Sequence, residues 1–163
     1  MGHVAWVVVV LLTVFAARLG WADVAVSPPS LDDPGRETDP AMLAGRLRLD
    51  GRVILRQLAF QAGRAEFRPE ALPILEAIRR LLVADPQLRV RIEVHTDGLG
   101  ATEWNLKLSS DRAQLIQVWL AEHGVDAARL DTLGVGKSRP VATNTTAVGR
   151  QTNRRVELVR LNH

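Results

Sequence analysis

The chain has 163 residues, a formal charge of +3 and no cysteine. That length holds one domain with a leader and excludes two full domains, and an apolar share of 47% supplies a core and excludes global disorder. The missing cysteine rules out a disulfide framework, a thiolate metal site, a cysteine nucleophile and a lipidated N-terminal cysteine.

Residues 4–17, VAWVVVVLLTVFAA, form a run of fourteen that is apolar but for Thr13. A membrane span needs about 20 residues, whereas a signal-peptide core is shorter. Gly20-Trp21-Ala22 supplies a small-x-small pattern, which places cleavage after Ala22. The opening MGH carries no Lys or Arg, so an uncleaved N-terminal anchor over 1–22 stays open beside the signal peptide. Either way the rest of the chain is expected to leave the cytoplasm. Residues 23–44 read as a Pro- and acid-rich linker, with four of the eight prolines between 23 and 40.

A domain is expected over 45–163. Asp50-Gly51, set between alternating residues, predicts a tight hairpin. Residues 53–60 follow as the first strand. RPEALPILEAIRRLLVADP then predicts a helix that opens near Pro69, turns Leu72, Leu75, Ile78 and Leu82 to the core, and stops at Asp85-Pro86. In LRVRIEVHT the alternation points Val90, Ile92 and Val94 one way and Arg89, Arg91 and Glu93 the other. That predicts a strand covered on one face, with its polar face in water. SSDRAQLIQVWLAEHG predicts a helix capped by Ser109 or Ser110, with Leu115, Ile116, Trp119 and Leu120 inward and Gly124 as its stop. RLDTLGVG and RRVELVRL predict two further strands. The fold class is α/β (an α+β sandwich), in the order βαβαββ: a mixed four-stranded sheet with helices packed on one face.

Charge is uneven along this plan. Residues 23–50 hold six acids and three bases, whereas 51–163 hold twelve acids and seventeen bases. A basic domain suits nucleic acid, an anionic surface or an acidic polymer. Nucleic acid is not expected, because Tyr is absent and few aromatics remain to stack on bases.

Catalytic and metal motifs are not found. Of His3, His95, His123 and His163, only His95 stands beside other polar residues, and no second ligand falls at zinc spacing. There is no G-x-S-x-G, Walker loop or helix-opening G-x-G-x-x-G. Gly134-Val135-Gly136-Lys137 reads as a glycine-rich turn. No catalytic residue, cofactor or metal is therefore expected. What remains is Asp97, at the end of a strand, and Arg112, in the following helix. Each has an ordinary reading, as a turn acid and as a solvated helix base. Together they fall on one rim of the sheet, where α/β ligands bind, and an acid and a base there suit a zwitterion.

HTDGLGATEWNLKLSSDRAQ closely resembles the hallmark segment of OmpA-like C-terminal domains. His95-Thr96-Asp97, Gly100, Asn105, Leu108-Ser109 and Arg112-Ala113 match that pattern in order and spacing, and GRQTNRRVEL resembles the family's closing strand. FQAGRAEFRPEALPIL resembles its opening strand, loop and helix, so the likeness spans about residues 51–161. The resemblance implies non-covalent binding of peptidoglycan through the diaminopimelate of the stem peptide, in the periplasm or cell envelope of a Gram-negative bacterium. It implies Asp97 on the ligand ammonium, Arg112 on a ligand carboxylate, Asn105 and Leu108 around the same pocket, and backbone contacts from Ala62-Gly63. Envelope proteins are possible partners, and a membrane would be met only through an uncleaved leader. Two departures stand out: Val94 replaces the usual glycine before His-Thr-Asp, and Ala62-Gly63 replaces the Phe-Asp of many members. The second leaves open an alternative, an OmpA-like interaction module that has lost muropeptide binding.

Overall fold

The computed structural model describes residues 37–161. The expected leader, and the expected linker up to residue 36, lie outside the described residues.

The first described helix, α1 (Pro40–Leu49), begins inside the stretch expected as linker. Asp39 caps it, its side chain accepting from the Ala41 N–H, and Pro40 takes the first-turn position where no N–H is needed. Leu43 and Leu47, one turn apart, are buried. The hairpin expected at Asp50-Gly51 is not formed. The Asp50 N–H closes the helix on Arg46 O at 2.8 Å, and Gly51 takes a φ of +69°. An Asp-Gly pair serves a helix stop as readily as a hairpin, and burial of Leu43 and Leu47 decides for the helix.

Strand β1 is Arg52–Leu55, shorter than the expected 53–60. It ends because the Glu37 carboxylate takes the next two N–H groups, those of Arg56 and Gln57, at 3.0 and 2.9 Å. Phe60 instead bridges to Phe67, and their rings stack at 5.5 Å. A 3-10 turn, Pro69–Ala71, leads into α2 (Leu72–Ala84). Leu75, Ile78 and Leu82 are buried as expected, but Leu72 is exposed. The inward stripe is instead entered from Ala71, in the 3-10 turn, and runs through Ile74 and Leu75. Arg129 donates to Leu82 O at 2.8 Å and Asp85 O at 2.7 Å, satisfying carbonyls at the end of α2.

Strand β2 is Val90–His95 and helix α3 is Thr102–Glu122. The helix starts seven residues before Ser109, so neither Ser109 nor Ser110 caps it. Ser109 lies buried within it and accepts from the Gly136 N–H at 2.9 Å. Ile116 and Leu120 are fully buried, while Leu115 and Trp119 are half-buried. β3 (Leu130–Gly136) follows, then a short helix α4 (Ala147–Asn153) absent from the expected order, then β4 (Arg155–Arg160). The helix α3 lies so close to β3 that a Cβ on Gly134 would collide with Ser110.

The sheet is mixed and four-stranded, in the order β1-β4-β2-β3. β4 runs antiparallel to both β1 and β2, and β2 pairs parallel with β3 across α3. Val53, Leu55, Val90, Ile92, Val94, Val156 and Leu158 form one core cluster with the apolar faces of α1, α2 and α3. The opposite face of β2 is not left in water as expected. Glu93 and His95, with Arg155 and Glu157 of β4, are all at most 6% exposed. Register sets Glu93 opposite Glu157 and His95 opposite Arg155, so the acids are neutralised from elsewhere: Glu157 by Arg155 on its own strand and Arg52 of β1, and Glu93 by Arg91 on its own strand and Arg139.

Candidate functional site

The acid expected at the site follows β2. Thr96 is held by its N–H to Gly136 O at 2.9 Å, and Asp97 begins the loop to α3. One Asp97 oxygen, Oδ1, accepts from the Leu99 N–H at 3.0 Å, an Asx turn. The other, Oδ2, accepts from Arg154 Nη1 at 2.6 Å. The Asp97 side chain is 14% exposed.

Side chains hold this loop from three directions. Asn105, buried in α3, donates to Leu99 O at 2.7 Å and Ala101 O at 2.9 Å. Asn144 accepts from the Gly98 N–H at 2.8 Å and is itself held by Asn153 at 2.9 Å. Lys137 donates to Gly100 O at 2.8 Å. Asn105 was expected here. In the sequence the Arg154-Arg155 pair reads as a contribution to the positive field of the rim, one of the two alternating to the other face of the sheet and neither assigned to the ligand. Asn144 and Asn153 were not expected, their only signal being the polar density of TNTTAVGRQTNRR, and Lys137 reads only as part of a glycine-rich turn.

The base lies mid-helix, not early in it. Arg112 crosses to the 60–67 turn, where Nε donates to Arg64 O and Nη2 to Gln61 O, each at 3.0 Å. Its guanidinium stacks over Phe60 with a centroid distance of 4.7 Å. Burial lowers its pKa from the usual arginine value. Arg112 and the Ala62-Gly63 turn are thus brought together. Both turn residues are exposed, and Gly63 has a φ of +65°. Leu108, half-buried, sits one turn before Arg112 on the same side of α3. Asp97 and Arg112 form no ion pair with each other. Each is engaged by another part of the chain.

Behind this rim lies the buried network. Arg155 Nε donates to Glu157 Oε1 at 2.7 Å, and Arg91 Nε to Glu93 Oε1 at 2.9 Å. Arg52 reaches Glu157 at 3.3 Å and Arg139 reaches Glu93 at 3.6 Å. His95 Nε2 stands 3.6 Å from Glu157 and 4.0 Å from Glu93, yet neither ring nitrogen is hydrogen-bonded. Burial, reinforced by the Arg155 charge, lowers its pKa to about 4 and keeps the ring neutral. Glu93, His95 and Glu157 bring ligand-type atoms within 4.8 Å of one another. A divalent cation does not fit there, because arginines already neutralise both carboxylates and two more positive charges would meet four guanidinium groups. The cluster is a structural ion network.

Residues 59–154 match the model of the OmpA family. Over 91 residues the chain is 41% identical to YfiB, an outer-membrane lipoprotein of Pseudomonas aeruginosa, an alignment that covers 56% of this chain and 54% of YfiB. Over 102 residues it is 37% identical to the peptidoglycan-binding protein ArfA of Mycobacterium tuberculosis, covering 63% of this chain and 31% of ArfA. The chain spans about half the length of the lipoprotein relatives it matches. Among solved structures, the cell wall anchor of the T6SS from Pseudomonas aeruginosa superposes with a TM-score of 0.60 at 28% identity, over 82% of this chain and all of that one.

Proposed function

The chain belongs to the OmpA family, and from that premise we propose that it binds peptidoglycan without catalysis, through the diaminopimelate of the stem peptide. It would thereby tether an envelope component to the wall. The observation that carries the reading is the placement of Asp97 and Arg112. Asp97 opens the loop after β2 and Arg112 reaches from the middle of α3 to the 61–64 turn, and each is fixed in position by backbone groups: Asp97 by the Leu99 N–H, Arg112 by two carbonyls of that turn. Diaminopimelate ends in an ammonium and a carboxylate on one carbon. Asp97 would accept from the ammonium. Arg112 would pair with the carboxylate, since its bonds to the turn use only two of the five N–H donors of a guanidinium. Asn105 would brace the loop that carries Asp97, Leu108 would line the pocket beside Arg112, and the exposed Ala62-Gly63 turn would offer backbone groups. Delivery to the cell envelope would rest on the leader, cleaved or retained as an anchor.

The test is a titration of the purified protein with a diaminopimelate-containing muropeptide, beside Asp97→Ala and Arg112→Ala. Saturable binding is expected in the parent. Loss of a paired charge typically costs about 2–5 kcal/mol, so each variant should bind roughly 30-fold to several thousand-fold more weakly. Circular dichroism checks that the variants stay folded.

One observation favours a second reading. Asp97 and Arg112 already have internal partners, Arg154 and the 61–64 turn. An interaction module that kept the fold and lost its ligand would show the same bonds. It predicts a folded parent protein that gives no response to muropeptide at all.

A further inference from the structure

The proposed site contains a cation that neither its sequence pattern nor its expected ligand contacts assign. Arg154 donates from Nη1 to Asp97 Oδ2 at 2.6 Å, and from Nη2 to Gln151 on α4. Since the Leu99 N–H holds the other oxygen, both oxygens of Asp97 are engaged. We infer that Arg154 is a displaceable counter-ion of Asp97, and that it makes the site select a ligand with an ammonium and a carboxylate side by side over one with an ammonium alone. This rests on the wall-binding reading above.

The strand sets the position of Arg154. It is the residue just before β4, and the next one, Arg155, turns inward to Glu157. Arg154 therefore points to the rim, and its side chain stays 46% exposed while that of Asp97 is 14% exposed. A pair of this kind exchanges, because the arginine can return to water when its acid finds another partner.

Charge then dictates the selectivity. An incoming ammonium must take Asp97 Oδ2 from Arg154 or share it. If the ligand brings only that ammonium, the freed guanidinium stands beside a second cation and has lost its acid. If the ligand also brings a carboxylate, the guanidinium turns from one carboxylate to another and can grip it in a fork. Arg112 cannot supply this switch, because the 61–64 carbonyls and the Phe60 ring hold it where it is. Only the cation that already sits on Asp97 has a pairing that must change when ligand arrives. Penalising the wrong ligand in this way is a recognised route to specificity.

The experiment titrates the full chain and its Arg154→Gln variant with two muropeptides. One has free diaminopimelate. The other is the same molecule with that residue's carboxylate amidated and its ammonium kept. The parent is expected to prefer the free acid by about 30-fold or more, a charge-pair effect. In Arg154→Gln the preference should fall by about 10-fold, leaving the part that Arg112 supplies, with the amidated muropeptide bound about 10-fold more tightly than by the parent. Arg154→Lys, which keeps the charge, should retain most of the preference. An unchanged ratio in folded Arg154→Gln overturns the inference and leaves the wall-binding reading standing. Equal weakening of both muropeptides also overturns it, because Arg154 would then only position Asp97. If the parent binds neither muropeptide, the wall-binding reading fails and the inference fails with it.

Discussion

Two ion networks lie one residue apart in this protein and behave differently. Arg154 and Arg155 are neighbours in sequence; Arg154 pairs with Asp97, just beyond β2, and Arg155 with Glu157 on its own strand. Arg155, Glu157 and Glu93 lie buried on one face of the sheet around a neutral His95, where each charge is fixed by a partner and water cannot replace it. Arg154 and Asp97 lie on the rim, where water can take over from either. The same chemistry therefore makes a structural element in one place and an exchangeable one in the other. What separates them is solvent. Removing one partner of a buried pair strands a charge in low dielectric, whereas removing one partner of a rim pair only exposes a group to water.

Three measurements would break or sharpen that contrast. The largest effect is expected from Glu157→Ala, which strips Arg155 of its buried partner. Denaturant unfolding should show a loss of about 3–5 kcal/mol. A loss near zero would mean that the network is hydrated and that the two regions do not differ.

The next effect comes from His95. Its pKa in the folded protein is about 4, against an ordinary 6.5. Between those values the unfolded chain takes up a proton that the folded one refuses. Stability should therefore fall as pH drops from 6.5 towards 4 and level off below, by about 3 kcal/mol at most. Glu157 and Glu93 oppose this shift, while Arg155 and Arg139 support it. Unfolding midpoints across that range, in the parent and in His95→Gln, would isolate the component, which the variant should lack.

The smallest effect belongs to the rim. A double-mutant cycle on Asp97→Asn and Arg154→Gln, read by unfolding, should give a coupling below about 1 kcal/mol that fades with salt. A coupling as large as that of the buried pair would argue that Arg154 does not leave Asp97.

The elements that could be read from residue order share one feature: their inward positions are apolar. Val90, Ile92 and Val94 in β2, and Leu75, Ile78 and Leu82 in α2, declare their period directly. The first two turns of α3 do not. Their inward residues are Asn105 and Ser109, whereas Trp104 and Leu106 are exposed, so the apolar pattern there alternates as a strand would. Helix α4 is hidden for the same reason, since its buried residues are Gly149 and Asn153. In α1 the stop signal Asp50-Gly51 fits two structures equally well. Tertiary contact chose in all three cases: in α3 Asn105 holds the Asp97 loop and Ser109 bonds β3, in α4 Asn153 holds the 141–144 segment, and in α1 Leu43 and Leu47 bury against the core.

The site divides along the same line. The residues alone, with the family likeness they carry, picked out Asp97, Arg112, Asn105, Leu108 and the Ala62-Gly63 turn, and apolar periodicity placed the strand and helix that carry the two charges. Only the folded chain decided which groups those charges meet. Asp97 pairs with a residue 57 positions away, and Arg112 with one 51 positions away. Periodicity reports which side of an element faces the core, because burial acts on each residue separately. An ion pair depends on the distance between two residues, and over such separations the sheet order sets that distance. By placing β4 beside β2, the sheet order brings Arg154 to Asp97.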